Sequence, residues 1–446
     1  MPGADLPQRR DPYAALAATG EALARALRAA APGPDDGGGV RAAVDAAAPP
    51  TPRSWRDAVD ALVDRADATV RPADWLAPDL LARRPCTLPW TRLELFLDDL
   101  HGPCCVDFQR RPAAATGALL ARFRSPAMRA FRAALAGDGP PATCRPSCPR
   151  LRGRSDALDH LVVRGGPAAF VANQRAVVEA IVAGDVDAAA ITPLELSFAA
   201  TSFCNYDCLM CRWGVDGTLA DERPAAFYDA LAPLLPGLAR LEVLGGEPLA
   251  SPVFRDFLAG PTLAAHRHVR VALTTNASYL TPTEQARHAD VRFEHLTISL
   301  NAATDATYRA VNRGLTWPRI RGHLDALRAR RAATGWPRAI TYSMVMLRAN
   351  LHELEAFAAL ARRDGVGVRF MLPMRDRNDQ SFLRDAAAMA DVARRLRAIA
   401  DDLDDRDARR ARGEAEVLDD RLARGVLRPL PDDGDDVAAP VRLSRR

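Results

Sequence analysis

Cys204, Cys208 and Cys211 lie within eight residues of one another in the run SFCNYDCLMC, spaced C-x3-C-x2-C. An apolar, strand-like stretch over 194–200 leads into them. Thiolates are soft ligands, and three this close can converge on one metal centre. A tetrahedral zinc or a fully ligated iron–sulfur cubane takes four ligands. Three would hold a [4Fe–4S] cubane at three corners and leave one iron open to bind something else. The alternative is a structural zinc that borrows a distant fourth ligand, although zinc motifs typically pair two short Cys/His couples.

A second motif, Gly245-Gly246-Glu247-Pro248, ends another strand-like stretch over 240–244. Alone it reads as a strand-ending turn, where glycine lets a backbone approach a ligand closely. In order, spacing and context the two motifs resemble the radical S-adenosylmethionine (SAM) superfamily. The resemblance implies that Cys204, Cys208 and Cys211 hold the cubane and that its open iron chelates the methionine end of SAM. One electron then cleaves the S–C5′ bond, and the 5′-deoxyadenosyl radical takes a hydrogen atom from substrate. It implies SAM contacts from Gly245 to Pro248, where the Glu247 carboxylate or nearby carbonyls would accept from the ammonium. It implies further contacts at strand ends, from Asn276, Asn301 and Ser299, the last a ribose contact. Helix capping explains strand-end Ser and Asn as well. Asn350 and Glu353 follow the fifth strand in a familiar Asn-x-x-Glu pattern that a cap explains equally. The family's arginine after strand four is not carried over to Arg313.

Five cysteines precede residue 150: Cys86, Cys104, Cys105, Cys144 and Cys148. With Pro89-Trp90, an Asp98-Asp99 turn, Pro103 and Phe131-Arg132 they resemble the SPASM/twitch auxiliary-cluster module, here placed before the core. The resemblance implies a second, auxiliary iron–sulfur cluster. Five thiols exceed its four ligands, so one of Cys104 and Cys105 is surplus. It is either a buried core cysteine or a hydrogen-atom donor. Zinc in place of the cluster is the other reading.

Strand-like runs at 194–200, 240–244, 269–275, 295–300, 339–347 and 366–372 must position these residues. Helices begin between them near 223, 252, 281, 306, 318 and 351. Six βα units predict an α/β fold with a parallel sheet. With the motifs, the expected form is a partial (β/α)6 radical SAM barrel and a small N-terminal Cys-rich α+β module. Sites in parallel barrels lie at strand C-terminal ends, where every motif falls. Met374 to Arg377 follow the sixth strand, and Asp376 there is either a general base or a solvated loop acid. The expected organisation is a flexible Ala/Pro/Gly-rich lead (1–54), the auxiliary module (55–150), a helical linker (151–190), the core (191–382) and a helical tail with a disordered end (383–446). A helix is expected over 55–84, with Val59 on its apolar face, and others over 125–136 and 168–183. Residues 86–105 read as a strand, a turn and a short return.

The chain has 446 residues, a net charge of +4 and no lysine, so all 60 basic residues are arginine. That small charge, with no basic stretch interleaved with aromatics, argues against nucleic acid. Without a signal peptide or a run of about eighteen apolar residues, neither export nor a membrane span is expected. A cytoplasmic location favours metal binding over disulfides for eight cysteines. The expected function is dehydrogenation or oxidative modification of a peptide or sugar-like small molecule, with a flavodoxin or ferredoxin as reducing partner. No leader-binding segment is legible before residue 86, which disfavours a leader-dependent peptide. A redox-neutral epimerase quenched by a cysteine and a non-catalytic iron–sulfur scaffold are the alternatives.

Overall fold

The computed structural model describes residues 57–59, 68–72, 75–76, 86–95, 100–104, 111–112, 119–137, 144, 161–211, 222–373 and 378–427. They form two compact units: one drawn from Met1–Glu94, Leu100–Leu196 and Pro233–Ala239, the other from Leu95–Asp99, Ser197–Ala232 and Arg240–Arg446. Cys105, Cys148, the Asp98-Asp99 turn and Asp376 lie outside the described residues.

The first unit contains β1 (Thr69–Val70), α1 (Leu88–Thr91), β2 (Arg92–Leu95), β3 (Leu100–Gly102), β4 (Arg111–Pro112), α2 (Leu119–Phe123), α3 (Pro126–Ala136), β5 (Val163–Arg164) and α4 (Ala168–Ala183). β1 pairs antiparallel with β5, and β3 with β4. The helix expected over 55–84 is therefore corrected. Residues 57–59 are helical, but the β-branched pair Thr69 and Val70 takes a strand. The strand expected from Cys86 also starts late. Pro89 in the first turn presets a helical φ, so α1 precedes β2. The helices expected at 125–136 and 168–183 are present, α3 capped by Ser125 and α4 ended by Gly184 at φ 66°.

Arg132 on α3 ties this unit together and is fully buried. Its guanidinium donates to the carbonyls of Pro89 (2.9 Å), Phe123 (2.7 Å) and Val186 (3.3 Å). It also lies over the Phe123 ring, 4.5 Å from the centroid. Burial pulls its pKa down to about 10, so it remains charged at neutral pH. Arg132→Met would orphan buried carbonyls at about 1–3 kcal/mol each. A loss of about 3 kcal/mol in denaturant unfolding is expected. Arg132→Lys should restore only part of it, since one ammonium lacks the guanidinium's planar fork.

The second unit runs β6 (Glu195–Ala199), α5 (Ala225–Leu231), β7 (Arg240–Leu244), α6 (Pro252–Ala259), α7 (Pro261–Ala264), β8 (Arg270–Thr275), α8 (Pro282–Arg287), β9 (Phe293–Ser299), α9 (Asp305–Asn312), α10 (Trp317–Thr334), β10 (Ile340–Val345), α11 (Leu354–Arg363), β11 (Gly367–Met371), α12 (Ala386–Ala400) and α13 (Asp405–Ala423). The strands from β6 to β11 neighbour one another in chain order. The four pairs from β7 to β11 are parallel. This is an α/β fold with a parallel-dominated sheet, and its strand bounds fall within two residues of those expected. Alternate strand residues are apolar and buried: Leu241, Val243, Val271, Leu273, Leu296, Ile298, Val368 and Phe370. Side-chain caps start the helices that follow β7, β8 and β9. Ser251, Thr281 and Thr304 accept the N–H groups of Phe254, Glu284 and Thr307. Parallel winding sets the C-terminal ends of β7 to β11 on one edge of the sheet.

β11 ends the strand order, and an edge strand presents unpaired backbone groups. Here Asp407 of α13 accepts the Val368 N–H at 2.7 Å. A Cβ on Gly367 would stand 2.7 Å from the same carboxylate oxygen, so glycine is what lets the helix come this close. Among the described residues no helix is long and apolar enough to cross a membrane.

Candidate functional site

The loop after β6 carries Cys204, Cys208 and Cys211, all half-buried and none in a disulfide. Backbone bonds fix it before any ligand is considered. Asp207 N–H donates to Arg313 O and Leu209 N–H to Val311 O, both at 2.9 Å. Leu209 packs with Val311 and Leu347, and its carbonyl accepts from Asn378 Nδ2 at 2.8 Å. The hydroxyls of Tyr206 and Tyr308 meet at 2.8 Å.

The glycine turn is clipped directly onto this loop. Gly246 N–H donates to Thr201 O at 2.8 Å and Glu247 N–H to Phe203 O at 2.7 Å. A Cβ on Gly246 would lie 2.1 Å from Phe203 O, and one on Gly245, at φ +132°, would lie 2.4 Å from Thr201 O. Both glycines thus serve the approach of one loop to the other. Phe203 and Leu244 flank the clip with 41% and 39% of their surface exposed, two of the three large hydrophobic residues so exposed among those described. Exposed apolar surface beside convergent polar groups is what ligand sites offer.

Glu247 was expected, with nearby carbonyls, at a SAM ammonium. It is fully buried. It accepts from Leu249 N–H (3.1 Å), Thr275 Oγ1 (2.7 Å) and Asn276 N–H (2.7 Å). Burial raises its pKa to about 7, against the pull of those donors. The carboxylate latches the end of β7 to the end of β8. Pro248 starts a short 3-10 turn behind it.

The strand-end amides are likewise occupied by the protein. Asn301, at φ 58°, accepts the Val345 N–H (2.9 Å) and donates to Asn312 Oδ1 (2.8 Å). Asn350 accepts the Leu347 N–H (2.7 Å) and donates to the carbonyls of Asn301 and Val345 (2.9 Å each). Glu353 holds Ala303 N–H at 2.6 Å and the Thr304 hydroxyl. Asn276 accepts Ser278 N–H at 2.9 Å. Its Nδ2 faces Asn205 Oδ1 at 3.0 Å and Cys204 Sγ at 3.8 Å. Ser299 differs: it is half-buried at the end of β9, and its hydroxyl makes no hydrogen bond among the described residues.

Asn312 is a residue that the motifs did not reveal. It donates to Leu300 O at 2.6 Å, and its Oδ1 stands 3.7 Å from Cys208 Sγ. Asn205 and Ser278 were also missed, though Asn205 lies inside the cysteine motif. Burial pushes the Cys204 thiol up to about 11 and the Cys208 thiol higher still. Metal coordination reverses that by deprotonating a thiol outright. Among the described residues no three His, Cys, Asp or Glu side chains gather around one point as for a single ion. Thiolates on a cubane do not gather so, since each binds a different iron. Three thiols in no disulfide, on a loop fixed by backbone bonds and joined to the glycine clip, fit a three-point cluster with an adjoining ligand. In the first unit Cys86, Cys104 and Cys144 are half-buried and in no disulfide.

The sequence carries a wider likeness. Residues 199–361 match the family model of the radical SAM superfamily. The chain is 30% identical over 184 residues to mycofactocin maturase MftC of Mycobacterium tuberculosis, covering 40% of this chain and 44% of MftC. To MftC of Mycobacterium ulcerans it is 30% identical over 181 residues, covering 40% and 46%. It thus spans less than half the length of these curated relatives. Among solved structures it is similar to Streptococcus suis SuiB bound to S-adenosylmethionine, with 14% identity, a TM-score of 0.37 and coverage of 48% of this chain and 51% of SuiB. The matched stretch, residues 199–361, is the part of the chain that carries the cysteine loop, the glycine clip and the strand ends around them.

Proposed function

We propose that the chain is a radical SAM enzyme whose core is a partial (β/α)6 barrel. Cys204, Cys208 and Cys211 hold the cluster, and SAM lies against Gly245, Gly246 and Ser299. Bound there, a [4Fe–4S] cluster and SAM supply a 5′-deoxyadenosyl radical that can take hydrogen from an unactivated C–H bond. The chain's own residues position and shield. The clip keeps the cysteine loop against the glycine turn, and Glu247 locks the turn to β8. Carbonyls of the turn, with the Glu247 carboxylate already engaged, take the ammonium.

The observation that carries this reading is the clip, which joins motifs 34 residues apart by two backbone hydrogen bonds. We assign dehydrogenation or oxidative modification of a peptide or sugar-like precursor, a reading supported by the maturase name of the relatives. Cys86, Cys144, Cys148 and one of Cys104 and Cys105 are assigned to an auxiliary cluster in an N-terminal SPASM-like module. A flavodoxin or ferredoxin in a reducing cytoplasm supplies the electron. Anaerobically reconstituted protein with dithionite and SAM should yield 5′-deoxyadenosine. Its absence from a preparation loaded with iron and sulfide would favour a non-catalytic scaffold.

A further inference from the structure

Asn276 was expected to reach SAM, but its side chain faces a cysteine. Four contacts surround it. The backbone N–H is held by Glu247 at 2.7 Å. The side-chain oxygen accepts the Ser278 N–H at 2.9 Å. That bond settles which end of the amide is which: the oxygen must face a backbone donor, so Nδ2 must face the other way. There it meets Asn205 Oδ1 at 3.0 Å and Cys204 Sγ at 3.8 Å. The last distance is longer than an N–H···O contact because sulfur is the larger acceptor. Ser278 Oγ is in turn 3.2 Å from Asn205 Oδ1, so the amide has little freedom to turn away. Cys204 also accepts the Tyr206 N–H. Cys208 meets the opposite partner, the acceptor oxygen of Asn312. The two sulfurs are therefore not electrostatically equivalent.

We propose that Asn276 is a positioning residue that donates an N–H···S hydrogen bond to the cluster-bound sulfur of Cys204 and thereby raises the reduction potential of the cluster. The inference rests on the reading of Cys204 as a cluster ligand. Reduction places one more electron on the cluster, and part of that charge resides on the thiolate sulfurs. A donor aimed at a sulfur stabilises the more negative state more, and hydrogen bonds to sulfur are among the determinants of cluster potential. Glu247 gains a second consequence. By gripping the Asn276 backbone, the carboxylate of the glycine motif fixes the donor that acts on the first cysteine.

The test is a redox titration of the reconstituted full chain, followed by the electron paramagnetic resonance signal of the reduced cluster. Asn276→Ala removes the donor. Asn276→Ser removes it too, but leaves a hydroxyl to accept the Ser278 N–H, so the turn survives. At a fixed solution potential the reduced-to-oxidised ratio is expected to fall about tenfold in both, a midpoint about 59 mV more negative. Should the alanine variant fail to hold a cluster, the serine variant decides alone. A serine variant with full iron and the wild-type midpoint overturns the proposal. A wild-type protein with no reducible [4Fe–4S] signal instead removes the cluster assignment, and this inference with it.

Discussion

Cys208→Ala is expected to abolish 5′-deoxyadenosine formation, with a drop of at least about 1,000-fold, or roughly 4 kcal/mol in barrier terms. With two thiols left, the loop cannot hold a cubane at three corners, and the whole centre is lost. The fold should survive. The loop is anchored by the backbone bonds from Asp207 and Leu209 and by the packing of Leu209 against Val311 and Leu347, none of which uses the Cys208 side chain. Mass-spectrometric detection of 5′-deoxyadenosine reads the chemistry, and a thermal melt reads the fold. Continued product from a variant that melts normally would sink the assignment of the three cysteines.

Gly246→Ala is expected to be nearly as damaging by a different route. The new Cβ would stand 2.1 Å from Phe203 O and 2.6 Å from Ser202 O. Both are backbone atoms and cannot swing aside as a side-chain tip does. The two loops must part, breaking the bonds from Gly246 N–H to Thr201 O and from Glu247 N–H to Phe203 O. Overpacking with loss of buried hydrogen bonds costs about 3–5 kcal/mol. Less cluster iron after reconstitution and a lower melting temperature should both follow. Gly322→Ala is the control: no atom lies within 4 Å of its new Cβ, and alanine suits the interior of α10. If the two variants behave alike, the clip has no role in holding the site.

What was legible in the sequence was local. Apolar runs alternating with helical stretches gave all the strands from β6 to β11, and in the fold Ser251, Thr281 and Thr304 cap three of those helices. The cysteine spacing and the glycine pair were equally plain. The roles of the polar residues around them were not. Asn301 and Val345 are 44 residues apart, yet the Asn301 amide completes a hydrogen bond that only the fold brings within reach. Glu247 reads as a ligand group, and nothing in the sequence shows that its carboxylate also accepts from Thr275 and Asn276. A strand-end amide or carboxylate looks the same in a sequence whether it awaits a ligand or is satisfied by a distant backbone group. Short elements misled for another reason. Thr69 and Val70 have a strand partner in Val70↔Val163 that lies far along the chain. The propensity of two residues is too small to announce it.

The cover that Asp407 lends to β11 also has a cost in time during synthesis. Val368 leaves the ribosome before Asp407, 39 residues earlier in the chain. At about 5–20 residues per second, that interval lasts roughly 2–8 s. Throughout it the β11 edge lacks its own cap, and nascent chains on one messenger can present the same edge to each other. Slow translation of α12 and the start of α13 would lengthen that window. Slower synthesis of these last helices is expected to lower the yield of soluble protein without changing the melting temperature of what folds, which expression with slow codons over 386–407 would check.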